Sequence, residues 1–234
     1  QAQQSRLNLL QRLLTTNESS LVEIIQQEDK QIDEAFFAIF NRIAEATMMN
    51  RDEQAARQLT SLQQKLIENS TFGKQIQEQA KETEAAVKSL QDASQKGLTR
   101  ESLLQLIINA PNKTRLSALV GMTRSGMDYQ FFQILTDEIA KSTGDERNRL
   151  EQLRVDLLEM TRKIDEEIQA RVNRTKQLLE GLIKTPNLEE AVQQVLPGIT
   201  NIFMDILQSE IDLARKNADL ARLTKLNKIH GLIE

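Results

Sequence analysis

The residue types that most often carry chemistry are scarce in this chain. Across 234 residues there is one histidine, His230, and no cysteine. A two-histidine zinc site and a Glu-x-x-His di-iron pair both need more histidine than that. The absence of thiols removes disulfides, thiolate metal sites and a cysteine nucleophile. The densest acidic run, Asp165-Glu166-Glu167, is interleaved at helical spacing with Arg162, Lys163 and Arg171, and pairs of that kind are solvated surface charges worth a few tenths of a kcal/mol. No Gly-Lys-Ser/Thr phosphate loop occurs, and Gly121 and Gly126 lie too far apart for a dinucleotide fingerprint. The expectation is a chain that is not an enzyme, with no catalytic residue, no metal and no cofactor.

Two binding candidates remain. The turn Gly121-Met122-Thr123-Arg124-Ser125-Gly126 places Arg124 just ahead of Tyr129 and the bulky pair Phe131-Phe132. A cation in such a turn can meet an anion. Adjacent residues on a helix point about 100° apart, so one ring can enter the core while its neighbour packs on another element or is left for a partner peptide. Arg124, Tyr129, Phe131 and Phe132 are therefore the candidate partner-binding residues. The second candidate is the C-terminal stretch, where Arg215, Lys216, Arg222, Lys225 and Lys228 stand among Asp205, Glu210, Asp212 and Asp219. It supplies the alternative reading, binding of nucleic acid or of an anionic membrane surface through the C-terminal helices. The net charge of −4, the pI of about 5.4 and the lack of a basic stripe make nucleic acid the less expected partner.

The elements that must hold these residues read as helices throughout. Aromatics make up 3% of the chain, and Gly and Pro number eight and three. Much of the rest is Leu, Ile, Ala, Gln, Glu, Lys and Arg, mostly residues that lose little side-chain freedom in a helix. Apolar periodicity and the breakers between periodic segments predict helices over 4–15, 19–28, 31–48, 51–68, 73–95, 100–109, 114–122, 127–142, about 145–184, 187–195, 198–216 and 219–233. Gly181 falls in the interior of the long helix, where glycine costs about 1 kcal/mol. Recurrent Asn17, Asp52, Asn112, Asp145, Asn187 and Asp219 fall at helix starts and are expected to be caps.

Three 20-residue stretches align without a gap: those beginning at Leu21, Leu116 and Leu188. Eight positions are apolar in all three, among them the pairs Phe36-Phe37, Phe131-Phe132 and Phe203-Met204. Upstream, Leu9-Leu10, Leu103-Leu104 and Leu178-Leu179 extend the likeness. A repeat of this kind predicts an all-α array or bundle of three diverged units with one long helix, divided as 1–98, 99–177 and 178–234 and stacked into one domain. On the long helix, Leu150, Leu153, Leu157, Met160 and Ile164 form a short heptad seam that could pack on a helix of the same chain or of a second copy. No apolar run approaches the roughly 20 residues that span a bilayer.

The segment Met127-Asp128-Tyr129-Gln130-Phe131-Phe132-Gln133-Ile134-Leu135-Thr136, with Gly144-Asp145-Glu146 and the leucines at 150, 153, 157 and 158, resembles the helical region that follows the zinc ribbon in some bacterial CpXC-domain proteins. The likeness covers about residues 100–234. It implies helical repeats and no established activity, and the zinc ribbon itself has no counterpart in a chain without cysteine. The chain begins at Gln1, as a processed form or an excised piece of a longer protein would. Together these readings predict a soluble, cytoplasmic, non-catalytic scaffold or assembly factor that binds a protein partner and can also pair with its own copy.

Overall fold

The computed structural model describes residues 2–50 and 52–233, and among them it contains twelve α-helices and no strand. They are α1 (Ala2–Thr15), α2 (Glu18–Gln27), α3 (Glu34–Met49), α4 (Glu53–Asn69), α5 (Thr71–Gln95), α6 (Arg100–Ile108), α7 (Lys113–Thr123), α8 (Tyr129–Lys141), α9 (Gly144–Lys184), α10 (Leu188–Val195), α11 (Asn201–Lys216) and α12 (Leu220–Ile233). The protein is all-α, and no described helix is long and apolar enough to cross a membrane.

Three of the predicted helices begin early for one shared reason. The stretches expected to start at 31, 127 and 198 start at Glu34, Tyr129 and Asn201, because single 3₁₀ turns, Asp29–Gln31, Arg124–Gly126 and Leu196–Gly198, precede them. Each turn closes on an apolar residue that has left the helical conformation: Ile32, Met127 and Ile199 have ψ of 74°, 64° and 128°. Ile32 and Met127 are buried and Ile199 half-buried. An apolar residue at that point keeps the helical period of the sequence running through a break in the backbone, which is why periodicity misses it. The three α–3₁₀–α segments fall at the offsets of the sequence alignment.

By internal contacts the chain divides into two compact units, Gln1–Glu138 and Ile139–Glu234. In the first, α1, α3 and α4 pack on one another and α2 packs on α4. Leu10, Leu13, Ile25, Phe36, Phe40 and Leu66 form the centre of that bundle and are almost wholly buried. Beyond it α5 packs on α4 and α7. The corner from α4 into α5 is tight: the Ser70 hydroxyl donates to the Leu66 carbonyl at 2.7 Å and accepts the Gly73 N–H at 2.9 Å. Where α5 meets α7, Ala86 is fully buried, and the Arg115 Nε donates to the buried Glu82 carboxylate at 2.7 Å.

In the second unit α9 is unbroken from Gly144 to Lys184 and runs through the 177/178 boundary expected from the repeat. Its C-terminal part packs with α10, α11 and α12 around Leu179, Val192, Phe203, Leu207, Leu226 and Ile229. The helix pairs match those of the first bundle: α9 with α11 and α12 stands where α1 packs with α3 and α4, and α12 covers α10 and α11 as α4 covers α2 and α3. Along α9, Leu150 and Leu157 are buried, Leu153, Met160 and Ile164 half-buried, and Ile168 is 48% exposed.

Candidate functional site

An open groove lies between the start of α6 and the exposed side of α8. Leu98, Leu103, Tyr129 and Ile134 supply its apolar lining, Arg100, Glu101, Gln130 and Gln133 its polar lining, and its volume is about 700 Å³. The wall on α6 begins at a capping box: the Thr99 hydroxyl accepts the Ser102 N–H while the Ser102 hydroxyl accepts the Thr99 N–H. Two orphan donors of the first turn are thereby satisfied, which anchors Arg100 and Glu101 at a defined place on the rim.

Opposite, α8 is started by Asp128, whose carboxylate accepts the Phe131 N–H at 3.0 Å. The same carboxylate receives the Arg100 guanidinium side-on, with Nε at 2.9 and 3.1 Å from its two oxygens. Arg100 holds the Asp128 carboxyl at about 2, well below the usual carboxylate range, with the Phe131 amide adding to the effect. Glu101 is also shifted down, first by its own backbone N–H at the positive end of α6 and then by Thr99. Both carboxylates are therefore firmly ionised at neutral pH. That is the opposite of the raised value a general acid requires.

The pairing has a counterpart in the N-terminal bundle. Asp33 caps α3 by accepting the Phe36 N–H at 3.0 Å, and Arg6 on α1 donates its Nε to the same carboxylate at 2.8 Å, holding it too at about 2. A smaller groove of about 270 Å³ lies beside it, lined in part by Arg6, Ala35, Ala38 and Ile39. These are the aligned positions of Arg100, Gln130, Gln133 and Ile134.

Of the four residues expected to bind a partner, the groove takes up one. Tyr129 is 81% exposed on its wall, with its hydroxyl 3.4 Å from the Gln133 side chain. Phe131 is wholly buried and Phe132 half-buried, the two rings packed edge to face with centroids 5.4 Å apart. Arg124 donates to the Met127 carbonyl at 3.0 Å and so helps close its own 3₁₀ turn. Leu98, Arg100, Leu103 and Ile134 were not among the expected site residues. The available signals were Leu98, an apolar residue directly after Gly97, and Ile134, an aligned repeat position.

The basic C-terminal residues are largely engaged within the chain. Arg222 bridges Glu180 on α9 and Glu210 on α11, the latter at 2.9 Å. Lys225 donates to the Ile183 carbonyl at 2.9 Å, Lys228 pairs with Glu189 at 2.6 Å and Arg215 with Asp212 at 3.3 Å. Among the described residues, no group of three or more His, Cys, Asp or Glu side chains is placed to hold a metal ion. Comparison of the chain with protein-family models, with curated proteins and with solved structures returns no match.

Proposed function

We propose that this chain is a non-catalytic helical interaction module, a scaffold or assembly factor, that receives an apolar segment of a protein partner in the groove between α6 and α8. The observation that carries the reading is the exposure of large apolar side chains along one open groove, Tyr129 at 81% and Leu98 at 40%. An aromatic ring that is apolar on its faces and polar at its tip is the kind of residue that anchors interfaces. The carboxylates at the rim support binding rather than acid–base catalysis, since both are held ionised.

In this reading the three α–3₁₀–α segments are diverged copies of one unit, as the aligned apolar positions and matching turns suggest, and the likeness of residues 100–234 to the CpXC-associated helical region fits the same picture. The alternative, nucleic acid or an anionic membrane at the C-terminal helices, has less behind it, because four of the five cations that motivated it are bonded within the chain.

Site-specific photo-cross-linking tests the groove. A photoreactive residue at Gln133 is expected to capture a discrete partner in the native extract, and the same group at Lys74 on the outer face of α5 is not. The Tyr129→Ala change, at an exposed position, should abolish the adduct while leaving stability within about 0.5 kcal/mol. Equal capture from both positions, or capture that survives Tyr129→Ala, would count against the groove.

A further inference from the structure

Two adjacent methionines at the end of α3 are exposed to an extent that the packing of the fold does not explain. Met48 is 66% and Met49 86% exposed. The core-facing residues of this helix, Phe36, Phe37 and Phe40, lie in its first half. At the aligned positions of the other two segments stand Thr143-Gly144 and Arg215-Lys216, so nothing in the recurring packing asks for an apolar side chain there. The chain has six methionines and no cysteine. Thioethers are therefore the only sulfur atoms that a two-electron oxidant can find, and no thiolate competes for it.

Access separates the six sharply. Met127 is 2% exposed, Met160 and Met204 are half-buried, and Met122 is 42% exposed. We propose that Met48 and Met49 form a reversible oxidation site for oxidants of the peroxide class. A sulfur lone pair attacks one peroxide oxygen, the S–O bond forms as the O–O bond breaks, and the proton on the transferred oxygen passes through solvent to the leaving hydroxide, which departs as water. Sulfur is oxidised by two electrons and the peroxide is reduced by two. The product at each residue is a sulfoxide, polar and chiral, which turns the apolar tip of α3 into a polar one. Because both side chains lie outside the core, the change disturbs no buried contact. The two stereospecific methionine sulfoxide reductases, supplied with a dithiol, return both residues to the thioether: each sulfoxide oxygen leaves as water and the dithiol is oxidised to a disulfide.

The test is a time course of the intact chain in dilute hydrogen peroxide, read by peptide mapping with mass spectrometry alongside helicity. Met48 and Met49 should each gain one oxygen first, Met122 later, and Met127 at least about a hundredfold more slowly, since its reaction waits on local opening. Helicity should be unchanged when both leading sites are fully oxidised, and treatment with the two reductases and dithiothreitol should remove both oxygens. The Met48→Leu/Met49→Leu chain should take up two oxygens fewer, with the remaining rates unaltered. Oxidation of Met160, Met204 or Met127 at the rate of Met48 and Met49, loss of helicity in step with oxidation at those two, or failure of the reductases to restore them would each overturn the proposal.

Discussion

Replacing Gly73 and Gly181 by alanine should move stability in opposite directions, although both glycines lie inside helices and the chemical change is the same. Gly73 is buried in the first turn of α5, where the corner brings it against the end of α4. A Cβ there would stand 2.5 Å from the Ile67 Cα and 2.7 Å from the Ile67 carbonyl oxygen, and would also strike the Leu66 carbonyl. All three are backbone atoms, so no side chain can swing aside, and the two helices would have to part by about 1 Å, an overpacking that costs about 1–3 kcal/mol. The movement also strains the Ser70 bonds to Leu66 and Gly73, a cap worth about 1 kcal/mol. Against this, alanine recovers about 1 kcal/mol of helix propensity. The net loss is about 1–3 kcal/mol, or roughly 3–10 °C in Tm for a chain of this size. At Gly181 a Cβ would meet nothing within 4 Å, so only the propensity gain is left and Tm should rise by about 2–4 °C. Thermal and urea unfolding followed by circular dichroism decide the matter. Shifts of the same sign in both variants would refute the steric account of the α4–α5 corner.

Glu82→Ala should destabilise by about 3 kcal/mol, because it strands Arg115 at the α5–α7 contact, and the double change with Arg115→Ala should cost less than the sum, with a coupling of about 1–3 kcal/mol in urea titrations. Ala218→Gly should stabilise by about 1 kcal/mol: Ala218 sits at φ 53°, one residue past the Asn217 C-cap of α11, while the Asp219 N–H bonds the Ala214 carbonyl and the Ala218 N–H that of Arg215, a closure in which glycine carries no Cβ penalty. A fall in Tm would refute that reading of the turn. Asp33 and Asp128, both held at about 2 by their arginines, are protonated more readily in the unfolded chain, so their stabilisation is present above about pH 4 and drains away as the pH falls toward 2. The urea midpoint should drop over that window, and less steeply in Asp33→Asn/Asp128→Asn; an unchanged profile in that variant would show the pairs to be idle.

Helices are legible in this sequence because the cues are local and redundant. Asp52, Asn112 and Asp219 bond the backbone N–H groups that their positions suggested. At other helix starts the side chain does not make the expected bond. Asn17 and Asn187 precede helices without bonding the backbone through their side chains, and Asp145 lies inside the first turn of α9, which follows Thr143. Asp33 and Asp128 cap helices from positions where the apolar period gave no sign of a helix start. The groove was less accessible still. Tyr129 could be picked out as an aromatic residue beside a turn, but Leu98 and Ile134 become neighbours only once α6 and α8 are in place, and side-chain periodicity does not encode which helices meet. Phe131 shows the converse error: a bulky residue repeated at aligned positions is what a core requires, and it is wholly buried.

The third α–3₁₀–α segment departs from the other two in a way that relocates an electrostatic task. Where Asp33 and Asp128 start α3 and α8, Thr200 precedes α11 and makes no side-chain cap. Where Arg6 and Arg100 stand three residues before the first leucine pair, the chain has Thr175 before Leu178. Neither half of such a pair is present there, and the start of α11 rests on packing of Phe203 and Leu207 in the core. In their place Arg222 on α12 reaches Glu180 on α9 and Glu210 on α11, with its guanidinium held more basic than usual by the two carboxylates. In the first two segments the cation ties the first helix to the beginning of the third. In the last it ties the fourth helix to the first and third at once. A crossing held from α12 depends on that helix staying docked, whereas the Arg6–Asp33 pair joins two helices without help from α4. Loss of α12 should therefore loosen α9 and α11 together, an ordering of local opening that hydrogen exchange at those helices can resolve.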